Sequence, residues 1–128
     1  MRTKRTCWVA LTFKKRKTRV TIEKGEKMPC VISLGYGTYQ GKPHKDKPMS
    51  ELCRVHGGKE MPDWFRNGME VAMLAPTAVN QQKFLFELLE DGKTVKASAL
   101  RGPCAKMDLG IVKYHFEIGV RGYDFDWA

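Results

Sequence analysis

The sequence predicts an α+β fold, because helical and strand patterns follow one another without a repeated unit. Three stretches carry that prediction: an amphipathic helical pattern at Asp63–Ala75 and apolar strand patterns at Phe84–Leu89 and Thr94–Ala99. Asp91-Gly92 lies between the two strands, and Asp-Gly between apolar runs is a strong signal for a β-hairpin. A helix that leads into an antiparallel pair of strands is typical of the α+β class.

The predicted helix Asp63–Ala75 has a defined face and defined ends. Its apolar residues recur at the i, i+4, i+7 and i+8 positions of one face: Phe65, Met69, Ala72 and Met73. Pro62 and Asp63 suit a helix start, where the first N–H groups lack partners within the helix. Pro76 lacks a backbone donor and favours an extended conformation at Ala75, so we expect the helix to end there.

Two apolar runs before this helix are predicted to be strands. Cys7–Leu11 is rich in strand formers, and Met28–Tyr36 has the length and continuous apolarity of a central strand covered on both faces. The segment 37–48, rich in Gly and Pro, is predicted to be a surface loop. Met49–Val55 is predicted to form one helical turn with Ser50 as its N-cap.

A second helix is predicted at Asp108–Gly119. Asp108 is expected to open and cap it, and Gly119 and Gly122 suit its end. Its apolar surface is broad, so we expect most of it to be buried. The tail 123–128 carries three aromatic residues that could pack over a neighbour.

Length and composition indicate one soluble domain. A chain of 128 residues with 42% hydrophobic residues can form a modest core. No run approaches the roughly 18 apolar residues that a membrane-spanning helix requires, and no apolar signal segment follows the basic start. We therefore expect a single cytoplasmic domain over residues 1–128, without membrane association.

The positive charge is concentrated at one end of the sequence. Residues 1–24 contain nine Lys or Arg and one Glu, which gives +8 of the net charge of +9. The run Lys14–Arg19 could bind nucleic-acid phosphates, but it lacks interleaved aromatic residues, so a solvated basic connector over 14–27 is favoured. A small basic nucleic-acid- or partner-binding protein that uses residues 1–24 is the alternative, and the helix at Asp63–Ala75 could also dock on a partner chain.

The four cysteines form no disulfide or metal-binding pattern. Cys7, Cys30 and Cys104 lie in or beside apolar runs and are expected to be small buried side chains. Cys53 and His56 have a spacing found in zinc sites, but no second local pair accompanies them, so no metal site is predicted.

No side chain is predicted to act as an acid, a base or a nucleophile. The sequence contains no Ser-His-Asp or Cys-His set in a credible order and no glycine-rich phosphate loop. Arg101 and Lys106 could hold an anion at the start of the last helix, although Asp108 already suits that position. His115 is expected to be a packed or exposed histidine without a catalytic role.

Four stretches, in this order, resemble segments of the nitroreductase family. Thr6–Ala10 (TCWVA) is similar to its T-C-W-(I/V)-(G/A) stretch, and Val31–Gly37 (VISLGYG) resembles its V-I-x-L-G-Y strand. Ala75–Gln82 (APTAVNQQ) resembles A-P-(S/T)-A-x-N-x-Q at the flavin site. Asp108–Gly119 looks like the closing helix of a branch in which one chain carries two related halves.

The resemblance implies a partial nitroreductase-like fold, with a central mixed or antiparallel sheet flanked by helices. It also implies an FMN-dependent oxidoreductase that uses NAD(P)H to reduce nitroaromatic or quinone-like compounds. The cofactor-binding residues would then be Thr77, Asn80, Gln82 and Trp8. The three polar side chains could instead cap the helix and satisfy the strand ends, and Trp8 could pack in the core.

The same resemblance implies that the sequence corresponds to the C-terminal half of such a protein. Family members begin with an Arg-rich R-R-S-x-R segment that holds the FMN phosphate and with a first copy of the A-S-x-N-x-Q element. A basic leader at residues 1–5 stands in their place, and Lys83 replaces the commoner Pro-Trp. We therefore expect flavin binding to involve a missing N-terminal half or a second copy in a homodimer.

Overall fold

The computed structural model describes residues 19–28, 30–36 and 45–128, together with the backbone of residues 5–10; at Ser33 and Leu34 it describes the backbone alone. The chain divides into two compact units, Met1–Pro43 and His44–Ala128. Each unit has its own sheet. The single domain over residues 1–128 stays a prediction.

Most of the basic end lies outside the described residues. This applies to residues 1–4 and 11–18, and so to most of the basic leader and of the run Lys14–Arg19. Residues 37–44, the larger part of the predicted surface loop, lie outside as well. The described part of the basic connector contains a turn, in which the N–H of Glu26 donates to the carbonyl O of Glu23 at 3.1 Å. The nucleic-acid alternative therefore stays a prediction.

The first unit contains two antiparallel strands, β1 (Arg5–Ala10) and β2 (Val31–Tyr36), which pair with each other. Both strands are confirmed. The predicted burial of β2 on both faces is wrong for its described side chains, since Ile32 is 56% exposed and Tyr36 is 69% exposed. A continuous apolar run is buried only where layers cover both faces, and the described residues 19–28 of this unit form no helix.

The second unit is a four-stranded mixed sheet with helices. Its strands, in spatial order, are β3 (Cys53–Val55), β4 (Phe84–Leu88), β5 (Thr94–Ala99) and β6 (Asp126–Trp127). Its helices are α1 (Met49–Leu52), α2 (Asp63–Met73) and α3 (Ala105–Gly119). β4 and β5 are antiparallel, whereas β3 on β4 and β6 on β5 are parallel. The predicted α+β class is confirmed.

Several details of this unit differ from the sequence predictions. β3 replaces the second half of the helical turn predicted at Met49–Val55, and β6 lies in the tail. Strands of three and two residues are too short to show a period of two. The predicted cap at Ser50 is wrong, because α1 begins after Pro48 and no side chain caps it. None of the helices in the described part of the chain is long and apolar enough to cross a membrane.

Aromatic side chains form the centre of the second unit. Phe86 of β4 stacks on Phe116 of α3 with ring centroids 5.0 Å apart, and Phe65 of α2 meets Phe116 edge to face at 5.5 Å. All three rings are fully buried. Trp127 of β6 lies 5.6 Å from Phe116, so the tail packs on its own chain. Each such ring pair adds about 0.5–1.5 kcal/mol to the burial of apolar area.

Two glycines allow α2 and α3 to approach closely. A Cβ added to Gly68 would lie 2.6 Å from the ring of Phe116, and one added to Gly119 would lie 2.6 Å from the carbonyl O of Asn67. Gly119 is the last residue of α3, as predicted. The positive φ that favours glycine after a helix occurs at Gly122, where φ is 89°. Gly119 is therefore required for close packing, and Gly122 for the turn that follows.

Gly119→Ala is expected to destabilise the protein by about 1–3 kcal/mol, because the new methyl group meets backbone atoms of α2 that cannot rotate away. Gly110→Ala is the matched control, since nothing lies within 4 Å of a Cβ added there in the same helix. Because alanine has a higher helix propensity than glycine, Gly110→Ala should stabilise the protein by about 0.5–1 kcal/mol. Urea unfolding measures both changes, and a shift of the same sign in both variants would contradict the close-packing argument.

The Asp-Gly hairpin between β4 and β5 is confirmed, and Asp91 holds it. Oδ1 of Asp91 accepts hydrogen bonds from the backbone N–H groups of Lys93 and Thr94 at 3.0 and 2.9 Å, and Gly92 has a φ of 69°. The hydroxyl of Thr94, which donates to the same carboxylate, and these two N–H groups lower the pKa of Asp91 from 3.8 to about 2. The hairpin is therefore more stable when Asp91 is ionised.

Asp91→Asn should weaken the protein at neutral pH but not near pH 2. Because folding lowers the pKa of Asp91, its contribution to stability is complete above the unfolded-state pKa and is lost as the pH falls through about 2. The difference in unfolding free energy between wild type and variant should be largest at about pH 7 and should shrink below about pH 4. Denaturant unfolding across this range checks it. A difference that does not change with pH would show that the stabilisation by Asp91 does not depend on ionisation of its carboxyl group.

Candidate functional site

The segment between α2 and β4, Thr77–Gln82, is termed the connector. Both flanks are fixed in the core, since Ala75 before it and Phe84 after it are each 1% exposed. Residues Ala78–Asn80 form a single turn of 3₁₀ helix. Rigid flanks of this kind can hold polar side chains in fixed positions.

Three residues of the connector have left-handed backbone conformations without being glycine. Their φ angles are 47° at Val79, 54° at Asn80 and 46° at Gln82. Asn tolerates this region, whereas a β-branched residue such as Val rarely enters it. Val79 is 91% exposed, so burial of its side chain does not offset the strain. Residues with a strained backbone are concentrated at functional sites. The connector is therefore the leading candidate for a functional site in the described part of the chain.

The side-chain amide of Gln82 is buried and fully engaged. Its Nε2 donates to the carbonyl O of Lys45 at 2.8 Å and to Oδ1 of Asn80 at 3.0 Å. Its Oε1 accepts a hydrogen bond from the backbone N–H of Lys47 at 2.8 Å. The backbone N–H of Gln82 donates to Oγ1 of Thr77 at 3.0 Å. Gln82 thus joins the connector to residues 45–47.

Asn80 lies beside Gln82 and uses the same acceptor, because its Nδ2 donates to the carbonyl O of Lys45 at 2.9 Å. The structure therefore brings together three of the four predicted cofactor-binding residues, Thr77, Asn80 and Gln82. Trp8, the fourth, lies in β1 of the other unit, and its side chain is outside the described residues.

A buried carboxylate of α3 holds the start of the connector. The oxygens of Asp108 accept hydrogen bonds from the backbone N–H of Ala78 at 3.0 and 3.1 Å, and Oδ2 also accepts one from Nε2 of Gln81 at 2.7 Å. The same Nε2 donates to the carbonyl O of Pro103 at 2.6 Å. Asp108 is 5% exposed. The connector is thus tied both to α3 and to the loop before it.

The prediction that Asp108 caps its own helix is wrong. α3 begins at Ala105, and Asp108 lies in its first turn. A carboxylate near a helix start often accepts hydrogen bonds from N–H groups of its own helix. Here the backbone N–H of Ala78 and the side-chain amide of Gln81 donate to the Asp108 carboxylate instead. Nδ1 of His115 lies 2.9 Å from the carbonyl O of Ile111.

The cysteines that were expected to be buried differ from one another. Cys104 is exposed, so its predicted burial is wrong; it lies in the surface turn before α3 and has a φ of 56°. Cys30 is half-buried. The side chain of Cys7 is outside the described residues.

Cys53 and His56 make contacts other than to a metal. Sγ of Cys53 donates to the carbonyl O of Met49 at 3.4 Å, and burial raises the pKa of this thiol. Nε2 of His56 lies 3.1 Å from Oε1 of Glu87, and this hydrogen bond lowers the pKa of the Glu87 carboxyl group. Among the residues that the structure describes, no group of three His, Cys, Asp or Glu is placed to hold a metal ion.

A flavin contact at the connector requires donors that can reach the ring or the ribityl chain. Both N–H bonds of the Gln82 amide are used within the chain, and Asn80 directs Nδ2 to Lys45. Gln82 is also only 2% exposed. The connector in this arrangement therefore does not fit a flavin at Gln82, although Val79 and Asn80 are accessible beside it.

Asp108→Asn is expected to destabilise the protein by about 1–3 kcal/mol, because an amide nitrogen cannot accept hydrogen bonds from Ala78 and Gln81. Asp63→Asn is the control, since Asp63 is an exposed carboxylate in the first turn of α2. It should lower stability by less than about 1 kcal/mol. Guanidinium unfolding measures both, and equally small losses would mean that Asp108 does not hold the connector.

A comparison with protein families places this geometry in context. The model of a family described as "Putative TM nitroreductase" matches residues 3–120 of the chain, a range that includes the connector and α3. A search of curated proteins and a search of solved structures found no match. The resemblance seen in the sequence is confirmed, and the chain belongs to this nitroreductase family.

Proposed function

We propose that this chain forms the flavin-contacting part of an FMN-dependent oxidoreductase that uses NADH or NADPH to reduce nitroaromatic or quinone-like compounds. Membership of the nitroreductase family supports the reaction class. The sequence resemblance assigns the cofactor contacts to Thr77, Asn80, Gln82 and Trp8. Bound flavin would supply the redox chemistry, and no side chain is proposed as an acid or a base.

The strained backbone of the connector carries this proposal. The left-handed conformations of Val79 and Gln82 cost about 1–3 kcal/mol each and persist only where the surroundings determine them. A turn that only joins a helix to a strand could use glycine at lower cost in strain. The conformation of the connector is therefore better explained by a binding role than by chain connection alone.

The exposed side of the connector supports contact with a planar ring. Val79 is 91% exposed, and Leu74 at the end of α2 is 65% exposed. Asn80, which follows Val79 in the connector, is exposed as well. Apolar surface next to a few polar groups is the usual lining of a cofactor site.

The proposal includes a contribution from outside these residues. By resemblance, an Arg-rich segment holds the FMN phosphate, and residues 1–128 contain no R-R-S-x-R sequence. A further half of the protein would supply those cations. We therefore expect the purified chain to bind FMN weakly.

Titration of the full chain with FMN, followed by flavin fluorescence, tests the cofactor assignment. Saturable binding is expected, and NADH or NADPH should then bleach the flavin absorbance. Val79→Asp should weaken binding roughly tenfold, because it places a carboxylate where the ring is proposed to lie without removing a hydrogen bond of the connector. Val20→Asp, at a position that is 60% exposed, is the control and should leave the affinity unchanged.

Each outcome of this titration decides a separate point. Absence of saturable binding would refute the FMN assignment for the chain. Equal affinity of the two variants would place the flavin away from the connector. FMN binding without bleaching by either nucleotide would keep the cofactor and reject the NAD(P)H reaction.

A further inference from the structure

Helix α3 exposes a row of apolar side chains along its outer side. The sequence predicts a broad apolar surface for this helix, and the chain covers only the side that includes Phe116. On the other side Met107 is 49% exposed, Tyr114 is 61% exposed and Ile118 is 37% exposed. These three residues and the half-buried Ile111 are termed the α3 stripe.

The α3 stripe has the spacing of a contact between two helices. Its members follow one another at intervals of four, three and four residues, which places them on one line along the helix. The same spacing forms the seam of a coiled coil. From Met107 to Ile118 the stripe is about 16 Å long, at a rise of about 1.5 Å per residue. Single exposed apolar residues are ordinary, but a continuous row indicates an interaction surface.

Helix α2 shows the outer face that a solvated helix of this size normally has. Its exposed residues are all polar or charged: Asp63, Arg66, Asn67 and Glu70. A polar outer face opposite a buried apolar face is the usual pattern of a surface helix. α3 departs from this pattern along the stripe, so contact with water alone does not account for its sequence.

Two opposite charges beside the stripe distinguish between the possible orientations of a partner helix. Lys106 and Glu117 are both exposed, and they lie on the same flank because their separation is close to three full turns. Oε1 of Glu117 accepts a hydrogen bond from Nε1 of Trp127 at 3.0 Å, which holds the carboxylate in place. If two copies of α3 run antiparallel, Lys106 of each lies beside Glu117 of the other. A parallel pair would instead place like charges together.

We propose that the α3 stripe binds the same stripe of a second copy of this chain, as an antiparallel helix pair about a two-fold axis. Met107 then meets Ile118 of the second copy, and Ile111 meets its Tyr114, because both pairs are centred on the same point of the helix. The two-fold axis repeats every contact, so one surface serves both partners.

A second copy is the partner whose chemistry matches this surface. One chain supplies the apolar row together with a cation and an anion at the positions that antiparallel pairing brings together. The pairing uses no residue of the connector and does not depend on the proposed cofactor. Because three helical turns bury an area near the lower limit of specific interfaces, about 1,000 Å² in total, we expect a dissociation constant on the order of micromolar.

Sedimentation velocity of the full chain, over a concentration series through the micromolar range, tests the pairing. The wild-type chain should shift from monomer to dimer. Tyr114→Asp places a carboxylate in the stripe twice per dimer and should weaken association about tenfold or more. Tyr36→Asp is the matched control, because Tyr36 is an exposed tyrosine of β2, and it should leave the dissociation constant unchanged.

An exchange of the two flanking charges tests the orientation. Lys106→Glu should weaken the dimer about three- to tenfold, because each new carboxylate would face Glu117 of the other copy. Adding Glu117→Lys to the same chain should restore the wild-type affinity. In a parallel pair neither the single nor the double change would alter the dissociation constant, since like charges would still lie together.

Each outcome supports or rejects a defined part of the proposal. A chain that stays monomeric throughout the series would overturn it and assign the stripe to a partner of another sequence. A dimer that Tyr114→Asp does not weaken would place the interface elsewhere. A double variant as weak as Lys106→Glu would rule out the antiparallel orientation. If circular dichroism shows that Tyr114→Asp is unfolded, the charge exchange, which alters only exposed side chains, decides the question.

Discussion

The close packing of α2 against α3 determines where the connector begins and what holds it. Gly68 and Gly119 bring the helices to a separation at which one added methyl group would collide with Phe116 or with backbone atoms. The first turn of α3 then lies within reach of the end of α2, and Asp108 accepts the N–H of Ala78. A buried carboxylate keeps such a bond only where apolar packing fixes both partners. The polar segment thus depends on an apolar contact.

Elements with strong local signals could be predicted from the sequence. α2 begins at Asp63, and β5 spans Thr94–Ala99 as expected, because helical period, strand alternation and the Asp-Gly turn are all local patterns. β3 and β6 could not be predicted, since strands of three and two residues are defined by the neighbours with which they pair. The exposure of Ile32 in β2 has the same origin, because burial depends on layers that a single strand sequence does not specify.

The candidate site could be predicted as a set of residues but not as an arrangement. The pattern at Thr77–Gln82 located a polar segment between buried flanks. Nothing in that pattern indicates that Gln82 bonds to residues 35 and 37 positions earlier in the chain. Asp108 was misassigned for a related reason, because a carboxylate near a helix start has the same chemistry whether it caps its own helix or accepts from another segment. Packing selects the long-range partner.

The connector also shows why a family pattern and a fitted cofactor site need not coincide. Residue types that hold a flavin are the types that satisfy a buried turn, since both tasks require amide and hydroxyl groups with fixed directions. In the described part of the chain, no buried side-chain nitrogen or oxygen lacks a partner, so the connector meets the structural task completely. The amide of Gln82 is accordingly fully engaged by Asn80 and by residues 45 and 47.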